Sequence, residues 1–288
     1  MKVAFVSGKG GSGKSSITAA MVALTDRVVA IDCDVDASNL PLLFPHSCLT
    51  EEPFISGTET VIDSGKCTGC GICAERCAFN AISMDRKGIA TVDPILCEGC
   101  GICSRLCPAD AVSIHEKASS RIYTGTFAHG ILVHGDLYPG DDNSGKMIAR
   151  LREIADQTAA ETDISTEVLD GPPGIGCPVL STITGMDKVV IVCEPSLSGI
   201  SDLKRMLAVA RSYCSDISII INKCDISPEN CLSIKEYCRD SKLPVVAELP
   251  FDRKLVEAQI NCETIITYAP DCPCAVRIKE AYGRIFCS

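Results

Sequence analysis

The sequence predicts an α/β protein with a doubly wound, mostly parallel sheet and a small α+β segment inserted into it. Three observations predict it. Short apolar runs such as Val28-Val29-Ala30-Ile31 alternate with stretches of helical periodicity, as strands buried on both faces and their crossover helices do. A glycine-rich loop joins the first apolar run, Val3 to Val6, to the helix-like run from Ile17 to Leu24. A cysteine-rich internal repeat interrupts the alternation between residues 60 and 117.

Taken in order, the chain opens β–loop–α–β: Lys2–Ser7, Gly13–Thr25, then Arg27–Asp32. The first junction, Ser7 to Ser16, meets G-x-x-x-x-G-K-[ST] with Gly8, Gly13, Lys14 and Ser15. Gly10, Gly11, Ser12 and Ser16 complete a loop whose backbone N–H groups can point inward at phosphate oxygens. Lys14 is placed to neutralise the β- and γ-phosphates of a nucleotide, and Ser15 to ligate Mg²⁺. The second strand ends in Asp32-Cys33-Asp34-Val35-Asp36. Acidic residues there lie where open α/β sheets bind ligands; the alternative is capping of a turn around Ser38–Leu43.

The repeat follows. Cys67, Cys70, Cys73 and Cys77 read C-x₂-C-x₂-C-x₃-C, and Cys97, Cys100, Cys103 and Cys107 repeat that spacing 30 positions later. This resembles bacterial ferredoxins with two [4Fe–4S] clusters, in which the fourth cysteine of each run ligates the other cluster. The resemblance implies one cluster on Cys67, Cys70, Cys73 and Cys107. It implies a second on Cys97, Cys100, Cys103 and Cys77. Pro108 follows the last cysteine as the pattern asks, whereas Ala78 stands where the first run would have proline. The implied domains are a split nucleotide-binding domain, 1–59 and 118–288, around an inserted ferredoxin domain, 60–117.

Strands resume over 121–136, at Thr166–Asp170, Val189–Cys193, Ile217–Ile221 and Val245–Glu248. Helical stretches at Ser144–Gln157, Ser201–Tyr213, Glu229–Arg239 and Arg253–Gln259 alternate with them. The final segment, Cys274–Phe286, is an amphipathic helix with few basic residues, which favours packing on the sheet over a membrane surface.

Lys9 within G-K-G-G-x-G-K-S gives the loop the deviant form that resembles the MinD/ParA family of dimeric ATPases, relatives of nitrogenase iron protein and Mrp-type iron–sulfur carriers. The resemblance implies an ATP-dependent homodimer in which Lys9 reaches the partner's nucleotide. It implies Asp34 as the residue positioning or deprotonating the attacking water, supported by Asp32. Asp170, at the end of an apolar strand before Gly171-Pro172-Pro173-Gly174, resembles the residue that holds Mg²⁺ through water, and the turn resembles switch II. Asn222 and Lys223 in Asn222-Lys223-Cys224-Asp225 resemble the base-recognition site, and Pro250 and Phe251 the segment closing over adenine. N-K-x-D is also the guanine signature, so the residues alone leave ATP against GTP open, and the family favours ATP.

Of the other cysteines, Cys177 stands seven residues after Asp170, where nitrogenase iron protein carries a cluster ligand, but no second bridging cysteine lies between 107 and 177. It reads as a metal or redox contact, or as a helix cap. Cys272 and Cys274 form a C-x-C pair able to hold a metal between subunits. The four histidines, His46, His115, His129 and His134, read as structural.

Net charge of −10 argues against a non-specific nucleic-acid binder. No apolar run is long enough for a membrane helix, and the first strand starts at once, so the expected setting is cytoplasmic and reducing. The function this assembles is an ATPase whose nucleotide cycle gates electron transfer from two clusters to a partner metalloprotein. The rival is an ATPase that assembles or carries an iron–sulfur or metal cofactor. A cell-positioning ATPase fits least, because positioning needs no eight-cysteine module.

Overall fold

The computed structural model describes residues 1–141 and 143–287. β1 (Lys2–Ser7) leads into α1 (Lys14–Ala23), β2 (Val28–Asp32), α2 (Leu40–Leu43) and β3 (Ser47–Phe54). Then come β4 (Gly57–Ile62), α3 (Ile72–Glu75), β5 (Ile82–Met84), β6 (Ala90–Val92), α4 (Ile102–Leu106) and β7 (Val112–Lys117). β8 (Ser120–Phe127), β9 (Gly130–Asp136), α5 (Ser144–Thr162), β10 (Glu167–Pro173), α6 (Cys177–Ile183) and β11 (Lys188–Cys193) follow. The chain ends with α7 (Leu197–Ala210), β12 (Ile217–Ile221), α8 (Pro228–Asp240), β13 (Val245–Glu248), α9 (Arg253–Ile260), α10 (Ile265–Tyr268) and α11 (Pro273–Phe286).

The chain divides into two compact units. The larger takes Met1–Glu51, Ile122–Gly135 and Gly145–Ser288. Its sheet runs β13-β12-β11-β1-β10-β2-β9-β8-β3, and every pairing from β13 to β9 is parallel. The fold is therefore the α/β, mostly parallel sheet the sequence predicts. β1, β2, β11 and β12 are buried along nearly their whole length, the reason their sequences are continuous apolar runs rather than alternating ones. β1 sits between β10 and β11, so the loop after it opens at the carboxyl end of the sheet's centre.

α11 packs into the core through Cys274, Ala275, Ile278, Ala281 and Ile285. Its amphipathic face is thus spent on the sheet. Among the described residues, no helix is long and apolar enough to cross a membrane.

Several elements differ from the sequence expectation, β3 and α10 having no counterpart in it. α7 starts at Leu197, not Ser201, because the Ser196 hydroxyl accepts from Gly199 N at 3.0 Å and caps the helix four residues earlier. α6, absent from the expectation, begins at Cys177 with Pro178 in its first turn, a position proline tolerates.

The smaller unit takes Glu52–Arg121 and Asp136–Ser144, wider than the expected 60–117. The extension includes β4, which pairs antiparallel with β7, as β5 does with β6. Its buried apolar cluster is small: Ile82, Ala90, Cys103 and Val112, with Cys67, Cys73, Cys77 and Cys107 packed against them.

Candidate nucleotide and cysteine sites

In the larger unit, the phosphate-type loop lines a cavity of about 270 Å³. Gly10 to Ser16 form its wall together with Ser7, Asp34, Asn39, Pro173 and Gln259. Gly13 caps α1 at φ 86°, and a Cβ there would stand 2.3 Å from Asn222 Nδ2, so only glycine fits. Lys14 is buried and pairs with fully buried Asp170 at 2.8 Å; it also donates to Ser15 Oγ at 3.1 Å. Asp170 Oδ1 accepts from Thr18 Oγ1 at 2.8 Å as well, while Oδ2 is buried with no hydrogen-bond partner.

The sheet register explains this meeting. Asp170 of β10 lies opposite Phe5 of β1 on one side and Asp32 of β2 on the other. Asp32 is fully buried and accepts from Asp34 N, Ser38 Oγ, Asn39 N and Leu40 N at 2.8–3.0 Å. It holds the turn that carries Asp34 and Asn39. Burial, and then the charge of Asp170, push the Asp32 carboxyl up from its ordinary range. Burial is also the main cause of a raised Asp34, pushed to about 6, with Asp170 and Asp36 adding to it and Lys14 opposing.

Lys9 is anchored within its own chain. It pairs with Glu194 at 2.7 Å and donates to Ser196 Oγ and Ser198 Oγ at 3.1 and 2.9 Å. Glu194 also pairs with Lys223 at 3.0 Å, and Lys223 donates to Gly11 O at 2.8 Å. Burial works against the Glu194 charge, but hydrogen bonds from both lysines hold its carboxyl below the ordinary value. Glu194, Asn39 and Gln259 were not legible as site residues, because no motif spacing marks them. Gln259 donates to Ser16 Oγ at 2.6 Å, which ties α9 to the loop.

Asn222, the expected base reader, lies beneath the loop. It is 2% exposed, its Nδ2 donates to Ser12 O at 2.8 Å and its Oδ1 accepts from Lys223 N at 2.9 Å. Each end of the amide makes one hydrogen bond that braces the loop. Pro250 and Phe251 do not line the loop cavity; Phe251 N donates to Asp225 Oδ1 at 2.7 Å, and the ring is 49% exposed.

Cys177 is exposed at the start of α6. Cys272 and Cys274 do not form a metal pair. Cys274 is fully buried in the core, and the Cys272 sulfur accepts from Ala275 N at 3.4 Å as the cap of α11. Burial pushes the Cys274 thiol up to about 12, the opposite of what a thiolate ligand needs.

In the smaller unit, a second cavity, of about 160 Å³, is walled by Cys97, Cys100 and Cys103 of the second run together with Cys73 and Cys77 of the first. Two cysteines from one run thus join three from the other. The two fourth cysteines have matching partners: Ala81 N donates to Cys77 Sγ and Ala111 N to Cys107 Sγ, both at 3.3 Å. Thr60 Oγ1 lies 3.5 Å from Cys97 Sγ and 3.7 Å from Cys103 Sγ. Among the described residues, no three His, Cys, Asp or Glu side chains converge on one point as ligands of a single ion. In a cubane each thiolate binds a different iron, which holds the four sulfurs apart. A largely apolar cavity that takes thiols from both runs fits such a group.

Residues 3–265 match the CobQ/CobB/MinD/ParA nucleotide binding domain. The chain belongs to the CobQ/CobB/MinD/ParA family. It is 40% identical over 228 residues to the uncharacterized protein MJ0578 of Methanocaldococcus jannaschii, covering 77% of this chain and 78% of that one. Over 62 residues it is 40% identical to the pyruvate synthase subunit PorD of Methanothermobacter marburgensis, 22% of this chain and 63% of that one. The MinD/ParA fold recurs in the septum site-determining protein MinD of Pyrococcus horikoshii, solved with Mg-ADP, at 15% identity and a TM-score of 0.58 over 99% and 96% of the two chains.

Proposed function

We propose that this chain is an ATP-hydrolysing member of the MinD/ParA family that forms a homodimer on ATP and couples its nucleotide cycle to electron transfer from two [4Fe–4S] clusters to a partner metalloprotein. The observation that carries the nucleotide half is the single cavity where Lys14, Ser15 and Asp34 meet over buried Asp170. Phosphate oxygens arriving there compete with Asp170 for the Lys14 ammonium. Released from Lys14, Asp170 has an oxygen without a protein partner to offer a Mg²⁺ ion through water, beside the Ser15 hydroxyl. Asp34, raised toward neutrality by burial, has the basicity to orient and deprotonate water. Lys9 is held by Glu194 at the loop's edge, and exchange of that partner for a neighbouring subunit's phosphate is the step that ties ATP to dimerisation.

The redox half rests on the mixed cavity, where Cys77 stands with Cys97, Cys100 and Cys103. Cys67, Cys70, Cys73 and Cys107 would hold the other cluster. A [4Fe–4S] cluster, when bound, takes up and returns one electron at a potential its surroundings set. The similarity to a pyruvate synthase subunit supports a redox setting. The small apolar cluster of this unit supports it further, since domains with so little core lean on metal or disulfide staples.

The test is purification without oxygen. About eight iron and eight sulfide per chain are expected, with nucleotide binding lost in Lys14→Ala and an ATP-dependent sedimentation shift lost in Lys9→Ala. Iron-free protein would end the redox reading, and nucleotide binding unchanged in Lys14→Ala would end the other.

A further inference from the structure

The two cysteine runs look alike, but what faces them does not. Thr60 stands seven residues before Cys67, and Ala90 seven before Cys97. They are the same position of the repeat, on β4 and β6, and both are buried. Two residues earlier the matching pair is Thr58 and Gly88. The repeat shows in space: a Cβ on Gly99 would strike Thr58 O at 2.2 Å, and a Cβ on Gly69 would strike Gly88 O at 2.5 Å. Each run therefore lies against the segment that precedes the other run, β4 in one case and the turn into β6 in the other.

Only one of those segments turns hydroxyls toward the run it faces; Thr91 of β6 turns its hydroxyl to Ser83 of β5. Thr58 Oγ1 donates to Gly99 O at 2.9 Å, fixing the second run's loop. Thr60 Oγ1 sits between Cys97 Sγ and Cys103 Sγ. The first run faces Gly88 and Ala90, which have nothing to donate. The other contacts balance: Cys77 and Cys107 receive the same backbone hydrogen bond. Arg76 and Glu98, of opposite charge, both border the cavity beside Thr60.

We propose that Thr60 makes the two clusters electronically unequal, raising the reduction potential of the one held by Cys97, Cys100, Cys103 and Cys77 so that the first electron rests there. This rests on the cluster reading above. A ligating sulfur is a thiolate and cannot donate, so the only proton available between Thr60 and these sulfurs is the hydroxyl's. An O–H aimed at a thiolate stabilises negative charge, and the reduced cluster carries one charge more than the oxidised one. The hydrogen bond is therefore stronger in the reduced state and favours it. Ala90 leaves the other cluster without that term. Thr60 is a positioning residue here: it touches the ligands, not the electron's carrier.

Full-length protein, purified without oxygen, is titrated with a one-electron reductant and followed by electron paramagnetic resonance. Wild type is expected to reduce in two steps. In Thr60→Val, which keeps the shape and removes the hydroxyl, the higher step should fall toward the lower by about 59 mV, a tenfold change in the oxidised-to-reduced ratio of a one-electron couple. The lower step should stay. Thr60→Ser should retain the wild-type gap, and Ala90→Thr should raise the lower step. A gap unchanged in Thr60→Val, or movement of the lower step instead, overturns the proposal. If the valine variant fails to load iron, Ala90→Thr decides by itself, and an unmoved lower step overturns the proposal. Iron and sulfide analysis of wild type separates the two levels: absent clusters defeat the reading beneath, present clusters with unmoved potentials defeat only Thr60's role.

Discussion

Lys14 and Asp170 form the one pair in the nucleotide cavity in which both charges are out of water, at 5% and 0% exposure. Removing one partner strands the other, which costs about 3–5 kcal/mol for a buried pair. Lys14→Ala is therefore expected to lose that much stability in urea unfolding. Lys9→Ala should lose under about 1 kcal/mol, because Glu194 is partly exposed and keeps Lys223. Asp34 gives a prediction in pH. Its carboxyl, raised to about 6 mainly by burial, is protonated below that value and cannot accept a proton from water. ATP turnover should fall as pH drops through about 6, and Asp34→Asn should cost roughly 10²–10⁴-fold in kcat. A turnover profile flat from pH 7 to 5 would remove Asp34 as the base. At this scale the sequence was legible wherever chemistry demands a fixed spacing: Gly13, Lys14 and Ser15 share one cavity wall because the turn requires it. The bond from Asn222 to Ser12 O was not legible, because the motif names a residue type, whereas tertiary packing brings Ser12 O within 2.8 Å.

Among the elements, β4, α3, α4 and β7 would depend most on the proposed clusters. The buried apolar cluster of their unit is Ile82, Ala90, Cys103 and Val112, with Ile62, Ala74, Val92 and four further cysteines packed on it. Thiols are poor substitutes for a core, so chelating the iron should release this unit first. Hydrogen exchange should show amides of 57–117 losing protection in iron-free protein while those of β1, β10 and β11 keep theirs. Equal protection in both would show that the unit stands without clusters. Crossed ligation is tested by Cys107→Ser, which should damage the cluster of the first run and leave the signal of the Thr60-side cluster. The cysteine spacing made this unit legible in outline, but its edges were not. β4 begins ten residues before the first cysteine, and no spacing rule reaches that far. Cys272 and Cys274 show the converse error: a suggestive C-x-C was the start of α11, where one sulfur caps and the other fills the core.

For the whole molecule, function requires that nucleotide be felt away from its phosphates. Pro173 borders the nucleotide cavity and ends β10; Cys177 begins α6 after only Gly174, Ile175 and Gly176. Gly174 N donates to Ser7 O at 2.9 Å, so this short connection is tied to the strand that precedes the phosphate loop. A ligand shifts only an equilibrium whose two states it binds differently. ATP and ADP differ at the γ-phosphate, which would add to the pull drawing Lys14 from Asp170 of β10. Displacement there changes the charge balance at the end of β10 and with it the setting of Gly174 to Gly176. Cys177, exposed and without a side-chain partner to fix it among the hydrogen bonds of the described residues, reports that change directly. In an Asp34→Ala background, which holds ATP uncleaved, Cys177 should alkylate at rates that differ several-fold between ATP and ADP. The same nucleotides should alter the rate at which reduced protein passes electrons to an external acceptor. If alkylation changes and electron release does not, the switch works on a partner rather than on the clusters. If neither changes, nucleotide and clusters occupy one chain without coupling, and ATP-gated electron transfer is the wrong account of this protein.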